Sequence, residues 1–194
     1  MRPIAGILLA AGAGRRFGAH KLLQALPGGE PMALAAGRRL IAAVPDCVAV
    51  VRKGDLPLAQ ALGAIGLRTH EHGGADAGMG TSIAAGVAAT PDAAGWIIAL
   101  GDMPWVRSET IGALVEALGR GVELVAPVHL GTRGHPVGFA APWRDRLLAL
   151  AGDLGARDLI AAADRLVLLP TSDPGVLLDV DTPADIDRHV HAIG

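Results

Sequence analysis

The sequence predicts an α/β fold, an open sandwich of three layers around a mainly parallel sheet. Short apolar runs of strand length alternate with segments of helical periodicity along the chain. The stretch at 127–140 contains two glycines between short extended arms and predicts a small antiparallel hairpin. The 194 residues suffice for one domain with a large core, and no linker, repeat or low-complexity tract divides them. We therefore expect a single domain over residues 1–194.

The expected elements follow one another along the chain. Short apolar runs predict strands at Ile4–Ala10, Cys47–Arg52, Leu67–His70, Trp96–Leu100, Glu123–Val128, Arg165–Leu169 and Leu177–Val180. Helical patterns predict helices at 31–44, 56–64, 81–89, 108–119, 142–151, 156–163 and 183–192.

Composition excludes several classes of protein. Net charge is −2, with 17 basic and 19 acidic residues, so the chain lacks the positive charge that nucleic-acid binding requires. Aromatic residues are few, so single-stranded nucleic acid would find little to stack on. The single cysteine, Cys47, allows no internal disulfide and no cysteine-based zinc site. We expect a cytoplasmic protein with no nucleic-acid partner and no membrane span.

The N-terminal segment MRPIAGILLAAGAG has the outline of a signal peptide, which is the alternative interpretation of the first strand. Its apolar run is short and contains Gly6. Cleavage would also remove a strand that the rest of the sheet needs, so we favour the strand.

The loop after the first strand combines glycines with cations: Gly12, Gly14, Gly18, Arg15, Arg16 and Lys21. The glycine spacing is not the dinucleotide-binding fingerprint, because Phe17 stands where its third glycine belongs. It is not a P-loop either, because no Gly-Lys-Ser/Thr follows. Exposed backbone amides beside cations still favour a polyanion site. A glycine-rich turn with a solvated basic face is the alternative.

The segment LLAAGAGRRFGAHKLL (8–23) resembles the signature loop of the MobA-like nucleotidyltransferases, L-A-x-G-x-x-x-R-(M/F)-G-x-x-K. Further segments resemble that family in the correct order: GADAGMGTSIAAGV (74–87), ALGDMPWV (99–106), GTRGHPVGF (131–139), GDLGARDLI (152–160) and LLDVDTPADI (177–186). The 131–139 and 152–160 segments are typical of the molybdenum cofactor cytidylyltransferase branch. The resemblance implies a Rossmann-like sheet of the nucleotide-diphospho-sugar transferase type.

The resemblance also implies roles for particular residues. Arg16 and Lys21 would hold the triphosphate, whereas Arg15 falls at a variable position. The nucleotide would further contact Leu9, Ala10, Ala11, Gly12, Gly14, Gly78 and Ser82. For Ser82 the alternative is capping of a helix. The phosphorylated acceptor would contact His135, Asp153 and Arg157.

A magnesium site is expected where the strand Trp96–Leu100 ends. Asp102 follows that strand, at the edge where open α/β sheets bind ligands, and Mg²⁺ prefers carboxylates together with phosphates and water. Asp179 and Asp181 flank Val180, so in an extended segment both carboxylates face one side. We prefer Asp181 as the second ligand and keep Asp179 as the alternative. Asp181 or Thr182 could equally cap the last helix.

The expected reaction is transfer of CMP from CTP to molybdenum-bound molybdopterin, with release of pyrophosphate. The catalytic residues would be Arg16, Lys21 and Asp102. The cytidylyl assignment depends on LAAG and AHK, since guanylyl-transferring relatives show Gly at Ala11 and Asp at His20. His20 also departs from the Asn or Asp found elsewhere in the family, which leaves the choice between CTP and GTP open.

Other functions remain alternatives: guanylyl transfer, a sugar or polyol phosphate acceptor, or a non-catalytic chaperone of the pterin cofactor. An NADP domain using Arg52 and Lys53 is disfavoured by the glycine spacing. A pure carrier would not need Arg16, Lys21 and Asp102 together. A client molybdoenzyme or its chaperone is an expected partner.

Overall fold

Eight strands form one mixed sheet in the computed structural model, which describes residues 3–12, 20–152 and 156–193. The strands are β1 (Ile4–Ala10), β2 (Cys47–Arg52), β3 (Arg68–His72), β4 (Gly95–Leu100), β5 (Leu124–His129), β6 (Thr132–Arg133), β7 (Val137–Ala140) and β8 (Val167–Pro170). Their order is β3-β2-β1-β4-β7-β5-β6, and β8 also pairs with β5. Strands β3, β2, β1 and β4 are parallel, as is the β5–β8 pair.

Helices cover both faces of this sheet. They are α1 (Met32–Ala43), α2 (Leu56–Ala64), α3 (Met79–Ala88), α4 (Ser108–Gly119), α5 (Arg144–Leu148), α6 (Ala156–Ala161) and α7 (Pro183–Ile193). Every described helix is too short or too polar to cross a lipid bilayer.

Strand residues point alternately into two cores, which is why the protein has three layers. In β1, Leu8 and Ala10 pack in the core under α1, α2 and α4, whereas Ile7 and Leu9 pack in the core under α3, α5 and α6. The predicted three-layer sandwich with a mainly parallel sheet is confirmed.

The hairpin expected at 127–140 is present, and it determines how the chain enters the next strand. Leu130 and Gly131 both adopt positive φ, 48° and 80°, as the turn of the β5–β6 hairpin. The chain then continues into β7, which lies antiparallel between β4 and β5. The carboxyl end of β4 is therefore bordered on one side by β1 and on the other by the segment that leads into β7.

The expected strand at Leu177–Val180 is wrong. Residues Pro174–Leu177 form a 3-10 helix, initiated by Asp173, whose carboxylate accepts a bond from the Gly175 amide at 2.9 Å. Val180 is fully buried against Met32 and Ile186 instead of pairing in the sheet. The apolar residues that predicted a strand are used for packing.

Smaller differences concern element ends. The helix expected at 142–151 is a 3-10 turn, Ala141–Trp143, followed by the short α5. Strand β8, expected at Arg165–Leu169, begins two residues later, at Val167, and ends at Pro170.

Candidate active site

Lys21, Asp102 and Asp181 meet at the carboxyl end of β4, although the sequence places them far apart. The Lys21 Nζ donates to Asp102 Oδ2 at 2.9 Å and to Asp181 Oδ1 at 3.0 Å. The Lys21 side chain is only 11% exposed, against 28% for Asp102 and 52% for Asp181. Burial alone would lower the pKa of Lys21, but Asp102 and then Asp181 raise it above its usual value. The ammonium is therefore charged at neutral pH.

Backbone contacts determine the position of Asp102. The preceding Gly101 amide donates to the Leu9 carbonyl at 2.9 Å, and a Cβ at Gly101 would lie 3.1 Å from that oxygen. The Asp102 carbonyl accepts from the Val180 amide at 3.0 Å. These two bonds connect the end of β4 to β1 on one side and to the segment before α7 on the other.

Asp181 is held by a capping box at the start of α7. The Asp185 carboxylate accepts from the Thr182 amide at 2.7 Å and from the Asp181 amide at 3.0 Å. The Thr182 hydroxyl also donates to Asp185, at 2.9 Å. Capping and the contact with Lys21 are thus divided between neighbouring residues. The structure brings Asp181 to Lys21, whereas for Asp179 it shows a backbone contact, from His189 Nε2 to its carbonyl at 2.9 Å.

This pair of carboxylates fits a divalent cation. Among the described residues, no group of three or more His, Cys, Asp or Glu side chains converges on a metal position. Mg²⁺, however, is usually held by one or two carboxylates together with substrate phosphates and water. Asp102 and Asp181 already share one cation, the Lys21 ammonium, so both can face a common positive charge.

A cleft of about 480 Å³ lies beside this cluster, over the ends of β1 and β2, and we call it the polar cleft. It is lined by Leu9, Ala11, Gly12, Lys21, Leu22, Arg52, Ala75, Asp76, Gly78, Met79, Ser82, Leu100 and Asp102. Most of the residues expected to contact a nucleotide are therefore brought together. Ala10 is not among them, because its side chain points into the core under α1. Gly14 and Arg16 lie outside the described residues.

The start of α3 forms one wall of the polar cleft. Gly78 precedes the helix with φ of 109°, a conformation that favours glycine. The Thr81 hydroxyl, which donates to the Gly78 carbonyl at 2.8 Å, secures this turn. Ser82 is buried and lines the cleft from the first turn of α3.

Arg52 and Asp76 form an ion pair in the polar cleft that sequence reasoning missed. Arg52 Nη1 lies 2.7 Å from Asp76 Oδ1, and Nη2 donates to the Ala11 carbonyl at 3.4 Å. From the sequence, Arg52 is a candidate only for an NADP phosphate. Its place at the end of β2, beside β1, was the signal that it reaches the same cleft as Gly12.

A second cavity, of about 340 Å³, adjoins the first, and we call it the apolar pocket. It is lined by Leu9, Met79, Ile83, Ile98, Leu100, Arg133, His135, Val137, Phe139, Ala156, Arg157 and Ile160. Leu9, Met79 and Leu100 line both cavities. His135 and Arg157, expected to bind an acceptor, thus lie in one pocket, whereas Asp153 lies outside the described residues.

His135 is held between β6 and β7 and does not carry a charge at neutral pH. Its amide donates to the Val176 carbonyl at 2.9 Å, and a cis peptide bond joins it to Pro136. Burial, and then the charge of Arg133, lower the pKa of His135 below 6.5, against the weaker opposite effect of Asp102 and Asp179.

Arg133 is the residue of the apolar pocket that sequence reasoning missed. It stands two positions before His135 in the same extended segment, so both side chains face the same side. The spacing of two residues from His135, within the 131–139 segment, is the sequence signal that could have identified Arg133.

His20, by contrast, contacts α2 rather than either cavity. Its Nε2 lies 2.8 Å and 2.9 Å from the two carboxylate oxygens of Asp55, the residue that caps α2.

Comparison with known proteins identifies the family. The MobA-like NTP transferase domain matches residues 6–166. The purine catabolism protein PucB of Bacillus subtilis (strain 168) is 29% identical over 194 residues, which is 94% of this chain and 93% of PucB.

Solved structures share the fold. Rv0371c from Mycobacterium tuberculosis H37Rv, in complex with manganese, has a TM-score of 0.80 at 24% identity, covering 98% of this chain and 99% of that one. Molybdopterin-guanine dinucleotide biosynthesis protein A from Archaeoglobus fulgidus has a TM-score of 0.65 at 19% identity, covering 98% and 100%. Because the family match spans most of the sequence, the chain belongs to the MobA-like NTP transferase domain family and is a nucleotidyltransferase of that family.

Proposed function

We propose that the protein transfers CMP from CTP to the terminal phosphate of molybdenum-molybdopterin, with Mg²⁺, and releases pyrophosphate. One observation carries this proposal: a polar cleft and an apolar pocket share a wall beside Asp102, so two substrates can meet at that carboxylate. The family supplies the reaction class. The A. fulgidus neighbour, named for molybdopterin-guanine dinucleotide synthesis, supports a pterin acceptor.

The triphosphate would lie in the polar cleft. Backbone groups of Gly12 and Gly14 and the side chains of Arg16 and Lys21 would hold its phosphates. Because Lys21 is bound to two carboxylates, nucleotide binding would exchange those partners for phosphate oxygens. Charge-assisted bonds to phosphate are among the strongest that a side chain makes, which supports this exchange.

Asp102 and Asp181 would hold the Mg²⁺ ion after Lys21 has moved to the phosphates, and the manganese complex of Rv0371c supports a divalent ion. A bound divalent ion would neutralise charge that develops on the phosphates and on the leaving pyrophosphate. Asp102 has the central role because it lines the polar cleft two residues after Leu100, which lines both cavities, whereas the capping box holds the more exposed Asp181.

The chemical step needs no catalytic serine or histidine. A phosphate monoester has its second pKa near 6, so at neutral pH the acceptor already carries a nucleophilic oxygen. That oxygen forms a bond to the α-phosphorus while the bond from the α-phosphorus to the bridging oxygen breaks. The electron pair leaves on pyrophosphate, and the protein aligns the two phosphates.

The acceptor's ring system would occupy the apolar pocket. Ile83, Phe139 and Ile160 offer flat apolar surface, and the neutral His135 can exchange hydrogen bonds with a heterocycle. Arg157, and Asp153 from the neighbouring segment, would contact its polar groups.

Base choice would depend on the floor of the polar cleft. Ala11 is buried there, where guanylyl-transferring relatives have glycine, so its methyl group leaves less room for a purine. This supports CTP over GTP. A client molybdoenzyme or its chaperone would receive the product.

Pyrophosphate release with molybdenum-molybdopterin, CTP or GTP, and Mg²⁺ tests the proposal. We expect faster release with CTP and none without acceptor, with the Asp102→Asn variant as the inactive control. Faster release with GTP would contradict the base assignment, and turnover with a sugar or polyol phosphate instead would contradict the acceptor. Tight pterin binding without release under any condition would favour the chaperone alternative.

A further inference from the structure

Arg133 carries a buried nitrogen with no partner. Its Nη1 atom is inaccessible to solvent and makes no hydrogen bond within the part of the chain that the structure describes. A guanidinium donates five hydrogen bonds and cannot lose its charge in a protein. Leaving one of its donors buried and unsatisfied is destabilising, so native proteins retain such groups where something else uses them.

The described lining of the apolar pocket supplies Arg133 with no carboxylate. Among the described residues that line the apolar pocket, none is Asp or Glu, and the charged ones are Arg133 and Arg157. Arg157 is exposed, so water solvates its charge, whereas Arg133 is half-buried. The pocket therefore combines apolar walls with one poorly solvated cation.

Arg133 lines a different cavity from the residues assigned to the reacting phosphate. Asp102 and Lys21 line the polar cleft but not the apolar pocket, and Arg133 lines the apolar pocket but not the polar cleft. A molecule that spans both cavities and places its phosphate beside Asp102 meets Arg133 with a different group.

We infer that Arg133 selects the acceptor by binding an anionic oxygen carried by its ring system, remote from the reacting phosphate. The inference deepens the proposed function and depends on it for the identity of the reaction. Arg133 acts as a binding residue, and the acceptor class is a flat heterocycle that carries an anionic oxygen in addition to the phosphate.

Binding of two phosphate-free probes tests this inference: pterin-6-carboxylate, and unsubstituted pterin, which lacks the carboxylate. Fluorescence titration of the intact protein should show that the wild type prefers the carboxylate probe by roughly ten- to a hundredfold, as for a charge-assisted hydrogen bond. Arg133→Met should abolish the preference and bind both probes alike. Arg120→Met, the control, changes an exposed arginine that lines neither cavity and should leave the preference unchanged.

Further measurements distinguish a binding role from a structural one. Arg133→Lys, which keeps a charge, should retain part of the preference. With molybdenum-molybdopterin, Arg133→Met should raise the acceptor KM while kcat and the KM for CTP stay within a few-fold of wild type. A wild-type protein indifferent to the carboxylate, or an Arg133→Met variant that keeps the preference, would overturn the inference.

Nucleotide binding separates this inference from the proposed function. If the wild type binds no nucleoside triphosphate but discriminates the probes through Arg133, the proposed function fails and the Arg133 site stands. If nucleotide transfer proceeds normally in Arg133→Met with an unchanged acceptor KM, the inference fails and the proposed function stands.

Discussion

The polar cleft and the apolar pocket treat their charged groups in opposite ways. In the polar cleft the cations are already paired, Lys21 with Asp102 and Asp181, and Arg52 with Asp76. In the apolar pocket Arg133 has a buried nitrogen without a partner. A ligand of the polar cleft must therefore replace existing ion pairs. A ligand of the apolar pocket can bind the Arg133 nitrogen without breaking an existing hydrogen bond. We infer that ion-pair partners are exchanged in the polar cleft during the reaction, whereas the apolar pocket recognises the shape of a ligand and one of its polar groups.

Removing the charge of Asp102, which lines the polar cleft and pairs with Lys21, should have the largest effect. Asp102→Asn keeps the size of the side chain but removes the charge that would hold Mg²⁺ and pair with Lys21, so we expect transfer to fall by about three orders of magnitude or more. Asp181→Asn should cost less, because Asp181 is 52% exposed against 28% for Asp102, and Asp179→Asn least. Single-turnover rates at saturating Mg²⁺ measure this order. Near-normal activity of Asp102→Asn would show that the reaction centre lies elsewhere.

Removing Lys21 should affect one cavity and spare the other. Lys21→Met should weaken CTP binding roughly ten- to a hundredfold, because one charge-assisted contact to phosphate is lost. Affinity for phosphate-free pterin-6-carboxylate should stay unchanged, the reverse of the pattern expected for Arg133→Met. Calorimetric titration of Lys21→Met and Arg133→Met with CTP and with pterin-6-carboxylate measures both affinities in each variant. Equal losses for both ligands would mean that the two cavities are not independent.

Weakening the capping box should have the smallest effect. Asp185→Ala removes the acceptor for the Asp181 and Thr182 amides, and loss of a helix cap costs about 1 kcal/mol of unfolding free energy. Denaturant unfolding measures this loss, with Glu116→Gln, in an exposed pair with Arg120, as a control expected to change little. The apparent Mg²⁺ requirement should rise modestly, because Asp181 loses its anchor.

The stability difference between wild type and Asp185→Ala should also depend on pH. Bonds from the Thr182 backbone, and further contacts with its hydroxyl, the Asp181 amide and Arg188, lower the pKa of Asp185 below its usual 3.8. A carboxyl group with a lowered pKa in the folded state contributes stability above the ordinary value, and that contribution disappears as pH falls through the lowered one. The stability difference between wild type and Asp185→Ala should therefore be constant near neutral pH and shrink below about pH 4. A difference that persists unchanged into strong acid would show that the carboxylate is not what stabilises the turn.

The candidate site was only partly predictable because its residues are of two kinds. Asp102, Gly12 and Gly78 follow from local sequence, since each lies where a strand ends or a helix begins. Arg52 and Arg133 look like ordinary surface cations in the sequence, and only the sheet order brings them to the cavities. The roles of Arg16, Gly14 and Asp153, which lie outside the described residues, stay predictions.

The sequence by itself determined most of the elements and the layers of this protein. Every residue of β1 is apolar or glycine, which is typical of a strand buried on both faces, and side chains alternate along a strand, which places Leu8 and Leu9 in opposite cores. Only the tertiary structure decided that 177–180 packs beside β4 without joining the sheet, and that β7 enters it antiparallel. It also decided that Lys21 pairs with Asp181, 160 residues away. The periodicity of a segment indicates which of its faces is apolar. Pairing between distant segments depends instead on the space and the unpaired charges that remain when the layers pack together.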